Sequence, residues 1–257
     1  ELDLKYLKEE MERRAPGRNS WSTPRREEDQ FEIVSGYFNG KTTGTPLCAI
    51  IRNTNQNSGD YERLKNIFRP GHADYSGYIK YKGYNDYRGG GHFSGRLTAG
   101  LVLAGAIAQQ ILGEKKILIG SQIKSIGHLE QDSFLEAELK EEFLKGLKQK
   151  DFPVTDDKKG EKMKELILKV KEEQDSVGGV LETAVLNLPA GIGSPFFDSV
   201  ESCLAQFLFS IPAVKGVEFG AGFGITRMKG SEANDQFYYH NGKIQTYTNY
   251  NGGILGG

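Results

Sequence analysis

The chain has 257 residues, and its 33 basic against 34 acidic side chains leave a net charge of −1. That balance argues against a nucleic-acid coat or a polybasic membrane binder. Two cysteines, Cys48 and Cys203, are too few for a disulfide framework or a cysteine-based zinc site, and each reads as a small buried hydrophobe in a reducing compartment. No apolar run reaches the length of a membrane span and no signal peptide is visible.

Leu4, Leu7 and Met11 recur at helical spacing until Pro16-Gly17 stops the helix. Arg13, Arg14, Arg18, Arg25 and Arg26 follow with no acid between them, a run of positive charge that nothing local offsets. Residues 31–38 and 46–51 read as strands of a hairpin joined by GKTTGT. Residues 53–98 read mostly as loop, rich in Gly and in tyrosines that serve as half-buried anchors. Residues 99–112 (AGLVLAGAIAQQIL) predict a buried helix, its Ala and Gly allowing close packing. A strand is expected within 115–127, amphipathic helices over 132–149 and 158–175, and a strand over 177–188. Asp198 and Glu201 read as the capping box of a helix over 199–209, and 214–220 with 223–229 as a second hairpin. The pattern is α+β with two similar halves. Because the chain opens at Glu1 inside a helical pattern and stops in a Gly-rich run, it reads as one domain over 1–257, cut at both ends.

The chemistry concentrates in Arg69-Pro70-Gly71-His72-Ala73-Asp74-Tyr75 and in Gly89-Gly90-Gly91-His92-Phe93-Ser94-Gly95-Arg96, which runs into the helix at 99. Glycines let backbone N–H groups approach a ligand, and a helix N-terminus adds unpaired N–H groups. Arg96 can clamp a phosphate or carboxylate through two hydrogen bonds. His72 is the proton-transfer candidate, because its unperturbed pKa lies near neutrality; a structural role for it stands equally open on the residues alone. His128 and His240 are expected at the surface. A His72, Asp74 and His92 metal site is a poor match to known ligand spacings, and no metal is expected. Gly220-Ala221-Gly222-Phe223-Gly224 is only a faint echo of a dinucleotide loop.

RPGHADY, GGGHFSGRLTA, DSVGG (175–179), the run from Gly191 to Phe223, GSEANDQF (230–237) and NGGILGG (251–257), in this order, resemble the chorismate synthase family over essentially the whole chain. The resemblance implies an α+β fold with helices sandwiched between antiparallel sheets and an internal pseudo-duplication. It implies a lyase that converts 5-enolpyruvylshikimate 3-phosphate to chorismate by 1,4-anti elimination of phosphate. That reaction uses reduced FMN, which some members regenerate with NADPH. It further implies a cytoplasmic homotetramer with no nucleic-acid or membrane partner.

By the resemblance, His72 takes the proton-transfer role. His92, Phe93 and Ser94 stand at the flavin-contacting positions usually written Arg-Ser-Ser. Pro212, Ala213 and Gly257 fall on further flavin contacts, and Arg14 and Arg96 on substrate-binding arginines. The His92-Phe93 pair departs from the family pattern, and Ser20 stands where many members carry Arg, so that Arg18 is a candidate substitute. The family's Gly-Glu-Ser-His-Gly strand is expected before Glu1 and its Lys-Pro-Thr loop after Gly257, so this chain alone is expected not to turn over. A non-catalytic anion- or flavin-binding module is the alternative. A single-strand nucleic-acid binder is a third reading that the neutral charge disfavours.

Overall fold

A computed structural model of the chain describes residues 1–23, 27–53 and 67–257; Arg25, Arg26 and part of the expected loop lie outside the described residues. The chain forms two compact units, Glu1–Lys116 and Ile117–Gly257, each an α+β arrangement of helices and small antiparallel sheets.

In the first unit, helix α1 (Leu4–Arg14) starts where the Asp3 carboxylate accepts from the backbone N–H of Lys5 at 2.9 Å and of Tyr6 at 3.1 Å. Strand β1 (Phe31–Ser35) pairs antiparallel with β4 (Cys48–Ile51), and β2 (Tyr37–Phe38) with β3 (Lys41–Thr42), so the expected hairpin forms as two short ladders. Helix α2 (Asp74–Lys80) interrupts the stretch read as loop; its sequence DYSGYIK has too little periodicity to announce a helix. Helix α3 (Thr98–Glu114) buries Ala99, Leu103 and Ala106, one stripe at i, i+4 and i+7, against Leu7 and Met11 of α1. Phe31, Ile33, Ala49 and Ile51 of the β1–β4 ladder pack on the same cluster. Full burial of a side chain such as Leu7 is worth about 1.5–3 kcal/mol, so this cluster holds the unit together.

The expectation that α3 is buried all round fails. Leu101 and Ile111 are exposed, and a Cβ added at Gly100, Gly105 or Gly113 meets nothing within 4 Å. Counting the turn before α3, the helical stretch Gly95–Glu114 is long and apolar enough to cross a membrane, contrary to the sequence expectation. Here its buried stripe packs on α1 as a core helix does.

In the second unit, β5 (Leu118–Ile126) lies between β6 (Leu129–Glu130) and β7 (Gly179–Leu186), all antiparallel. Leu118 pairs with Leu186 and Gly120 with Ala184. On this face, helix α4 (Glu141–Lys148) sets Leu144 and Leu147 against Phe134, Leu118, Ala184 and Leu186. A Cβ at Gly120 would lie 2.7 Å from the Leu144 Cβ, so glycine there allows the close approach of helix to strand. Helix α5 (Asp157–Glu172) is capped by Asp156 and buries Met163. The predicted helix over 132–149 is shorter than expected, because Phe134–Glu136 form a separate 3₁₀ turn before α4.

Helix α6 (Val200–Phe209) begins one residue later than the predicted capping box requires. Its N-cap is Ser199, whose hydroxyl accepts from the Ser202 N–H at 3.1 Å, while the Asp198 carbonyl accepts from the Ser194 N–H at 2.9 Å. The hairpin expected over 214–229 is absent, and 222–227 form 3₁₀ turns. After the short helix α7 (Gly230–Ala233), the hairpin is instead β8 (Phe237–His240) with β9 (Lys243–Thr246). Cys48 and Cys203 are both exposed, which overturns their reading as core residues.

Candidate active site

The arginines at the end of α1 are not the uncompensated charges the sequence implied. Acids on either side of the run reach back to them. Arg13 meets Glu10 at 3.5 Å and Arg14 pairs with Asp29, whereas Arg18, beyond the helix, donates to the uncharged backbone carbonyl of Glu12 at 3.0 Å. Arg96, on the turn leading into α3, donates to Asp29 Oδ1 at 3.0 Å and to the Arg52 carbonyl at 3.0 Å, and also pairs with Glu27. The Arg14 Nη2 reaches the Thr98 hydroxyl at 3.5 Å. The structure therefore joins Arg14 and Arg96, the two arginines singled out for anion binding, through one buried carboxylate. Sequence reasoning missed Glu27 and Asp29. The signal available was the RREEDQ run itself, in which acids follow the arginines at once.

His72 is exposed on the turn before α2, its N–H donating to the Arg69 carbonyl at 3.3 Å. That turn is closed by a two-pronged ion pair. Arg69 Nε donates to Asp74 Oδ2 and Arg69 Nη2 to Oδ1, both at 2.8 Å, and the Arg69 N–H adds a third bond at 3.0 Å. The Arg69 guanidinium is the main reason the Asp74 carboxyl is held down at about 2, with a smaller attraction from His72. With both its oxygens so engaged, Asp74 is not arranged as a metal ligand; among the described residues no group of three or more His, Cys, Asp or Glu is.

The glycine run bends the chain sharply, with φ of +63° at Gly89, +85° at Gly90 and +52° at Gly91, values a side-chain-bearing residue rarely adopts. It is flanked by Arg88, which grips Asp86 through two 2.8 Å bonds. The bend throws Phe93 onto α2, where a Cβ at Gly77 would come within 2.6 Å of its ring. The His92 ring lies 6.3 Å from that of Tyr81. Ser94 caps the next turn by accepting from the Arg96 N–H at 3.3 Å. His92 and Phe93 line a cavity of about 310 Å³ together with Arg69, Asp74, Tyr78 and Tyr81. His72 is not among its lining residues. The tyrosines here are more open than anchors should be: Tyr84 is 92% exposed and Tyr75 61%.

The remaining predicted residues belong to the second unit. Pro212 and Ala213 are exposed after α6, and Ala213 has φ of +68°. Gly257 packs on the start of α6, where an added Cβ would lie 3.0 Å from the Ser199 Cβ. The Gly220–Gly222 loop docks on 250–252, the Ala221 N–H donating to the Tyr250 carbonyl at 2.8 Å, and it lies between irregular chain and a 3₁₀ turn, which is not the strand–loop–helix setting of a dinucleotide loop. Asp235 organises the partner loop. It accepts from the Thr248 hydroxyl at 2.6 Å, from the N–H of Tyr250 at 2.8 Å and from that of Asn251 at 2.9 Å. Burial alone would raise the pKa of this carboxyl; the hydrogen bonds outweigh it and hold the group below its usual range. His128 and His240 are exposed, as expected.

Fold and site together describe an α+β protein with two arginines joined through a buried carboxylate, an exposed histidine and a glycine-rich turn. The sequence profile of the chorismate synthase family matches residues 1–257. Chorismate synthase of Dehalococcoides mccartyi is 46% identical over 258 residues, covering 100% of this chain and 69% of its own length. Chorismate synthase of Thermococcus gammatolerans is 47% identical over 257 residues, covering 100% of this chain and 70% of its own. A crystal structure of chorismate synthase superposes with a TM-score of 0.78 at 32% identity, over 100% of this chain and 71% of that one. The chain belongs to the chorismate synthase family, whose members are lyases that form chorismate.

Proposed function

We propose that the protein converts 5-enolpyruvylshikimate 3-phosphate to chorismate and phosphate by 1,4-anti elimination, with reduced FMN as cofactor. The observation that carries this reading is the family match over the whole chain, joined to the pairing of Arg14 and Arg96 through Asp29. The substrate bears a phosphate and two carboxylates. Guanidinium groups can meet phosphate and carboxylate oxygens with charge-assisted hydrogen bonds.

The residues of the first unit fit a flavin in kind. The cavity beside His92 and Phe93 is walled by the rings of Tyr78 and Tyr81, and the glycine run nearby carries no side chains to obstruct a planar ring. His92, Phe93 and Ser94 would hold the cofactor in the first unit. Reduced FMN, when bound, supplies transient electron density that helps expel phosphate. His72 is the proton donor in this reading. Its exposed imidazole can exchange protons with solvent. A homotetrameric, cytoplasmic enzyme with flavin reduced by NADPH completes the proposal.

The test is anaerobic chorismate formation by the complete reading frame, given chemically reduced FMN and the phosphorylated substrate. His72→Ala is expected to lower kcat by about 100-fold or more, the usual scale of general acid–base catalysis. A folded wild-type protein that forms no chorismate overturns the reading. Full activity in the variant returns His72 to a structural role.

A further inference from the structure

The reading above gives Asp29 no role of its own, although its carboxylate bridges the two arginines. Its side chain is wholly buried. Its backbone sits at φ of +48°, in the left-handed region that Asp tolerates and most side chains avoid. Residues held in such conformations cluster at functional sites, where the surroundings enforce them. One carboxylate oxygen of Asp29 takes a guanidinium N–H of Arg96 at 3.0 Å, and the other takes one from Arg14. The arginines come from elements far apart in sequence, the end of α1 and the turn before α3.

We propose that Asp29 is the positioning residue that fixes the spacing and direction of Arg14 and Arg96 toward a multiply charged, phosphorylated anion. The inference rests on the reading that these arginines hold the substrate. Two guanidinium groups brought together repel one another, and a carboxylate between them removes that repulsion before any ligand arrives. Because the guanidinium is planar, holding one of its N–H groups on the carboxylate also limits where the others point. Glu27, buried beside Arg96, gives that arginine a second carboxylate partner. Asp29 acts through the arginines and is not itself a group that touches substrate. Its loss therefore weakens ground-state and transition-state binding alike, which appears in KM and leaves kcat nearly unchanged.

The experiment is steady-state kinetics on the complete reading frame with reduced FMN supplied. Asp29→Asn, nearly isosteric, is expected to raise KM for the phosphorylated substrate about 30-fold while kcat stays within about threefold. In an Arg14→Ala background the same substitution is expected to raise KM by less than about threefold, because the two effects share one route. A wild-type KM in Asp29→Asn, or an undiminished effect in the Arg14→Ala background, overturns the inference. Should Asp29→Asn fail to fold, Asp29→Glu takes its place. It keeps the charge but shifts both ion pairs by one methylene, and a raised KM with steady kcat is again expected, a wild-type KM again overturning it. If the wild-type protein forms no chorismate, the functional reading has failed on its own. The positioning inference is then decided by calorimetric titration with inorganic phosphate. A Kd weakened about tenfold in the variant supports it, and equal Kd values overturn it.

Discussion

Two arginine–carboxylate systems in the first unit use the same chemistry in opposite settings. The Arg88–Asp86 fork has the better geometry, two parallel bonds of 2.8 Å, but its side chains are 60% and 57% exposed. The Arg14–Asp29–Arg96 bridge is less regular, yet Asp29 is fully buried and its arginines are 19% and 14% exposed. Exposed pairs gain little, because water already solvates both charges. Buried ones are costly to break, because the orphaned charge has nowhere to go. Acidity does not follow enclosure. Asp86 and Asp74 both sit at about 2, each chiefly through side-chain hydrogen bonds from its arginine, although only Asp74 is partly enclosed. Burial, more than bond geometry, ranks these pairs.

That ranking can be broken by measurement. Arg96→Ala strips Glu27 and Asp29 of a shared partner and is expected to cost about 3 kcal/mol in urea denaturation, the scale of a broken buried pair. A loss comparable to that of an exposed pair would reverse the order. Asp74→Asn is expected to cost about 1 kcal/mol, because the Arg69–Asp74 pair is 30% and 24% exposed. Its pH signature sharpens the point. A carboxyl whose folded pKa is depressed adds stability above the unfolded value, and that stability drains away as pH falls through the folded value. The Asp74 contribution is therefore complete above 3.8 and lost on the way down to about 2, so the wild type and Asp74→Asn should converge in stability in that window. Persistent separation at the acid end would show that the variant had disturbed something besides the ion pair. Asp86→Asn is expected to leave the denaturation midpoint unmoved, the smallest effect of the three.

The same contrast between local and distant order explains what could be read from the residues alone. α1, the β1–β4 ladder and α5 announce themselves through periodic apolar residues and, for α1 and α5, an Asp at the N-cap. The β8–β9 hairpin has a local sign in the turn dipeptide Asn241-Gly242, whose φ values of +48° and +80° are those a tight hairpin demands. The misplaced hairpin over 214–229 came from reading apolar character as strand where the chain is looped and 3₁₀-helical. In the site, His72, Arg14 and Arg96 stood out by residue type and motif. Asp29 and Glu27 did not, because Asp29 meets Arg96 across 67 positions and no local pattern encodes such a partner. The exposure of Cys48 and Cys203 was likewise a tertiary fact, invisible in the composition.

The open space around Gly100, Gly105 and Gly113 of α3 has a consequence for how freely this sequence can drift. These glycines weaken the helix without admitting a neighbour, so alanine at each should be accepted, with a gain of up to about 1 kcal/mol apiece from helix propensity. Gly120 is their opposite: the Leu144 side chain stands where a methyl group would go. A saturation library read out by folding should find the three helix positions permissive and Gly120 closed to every other residue. Glycine then marks a tolerant position in one element and a forbidding one in the next.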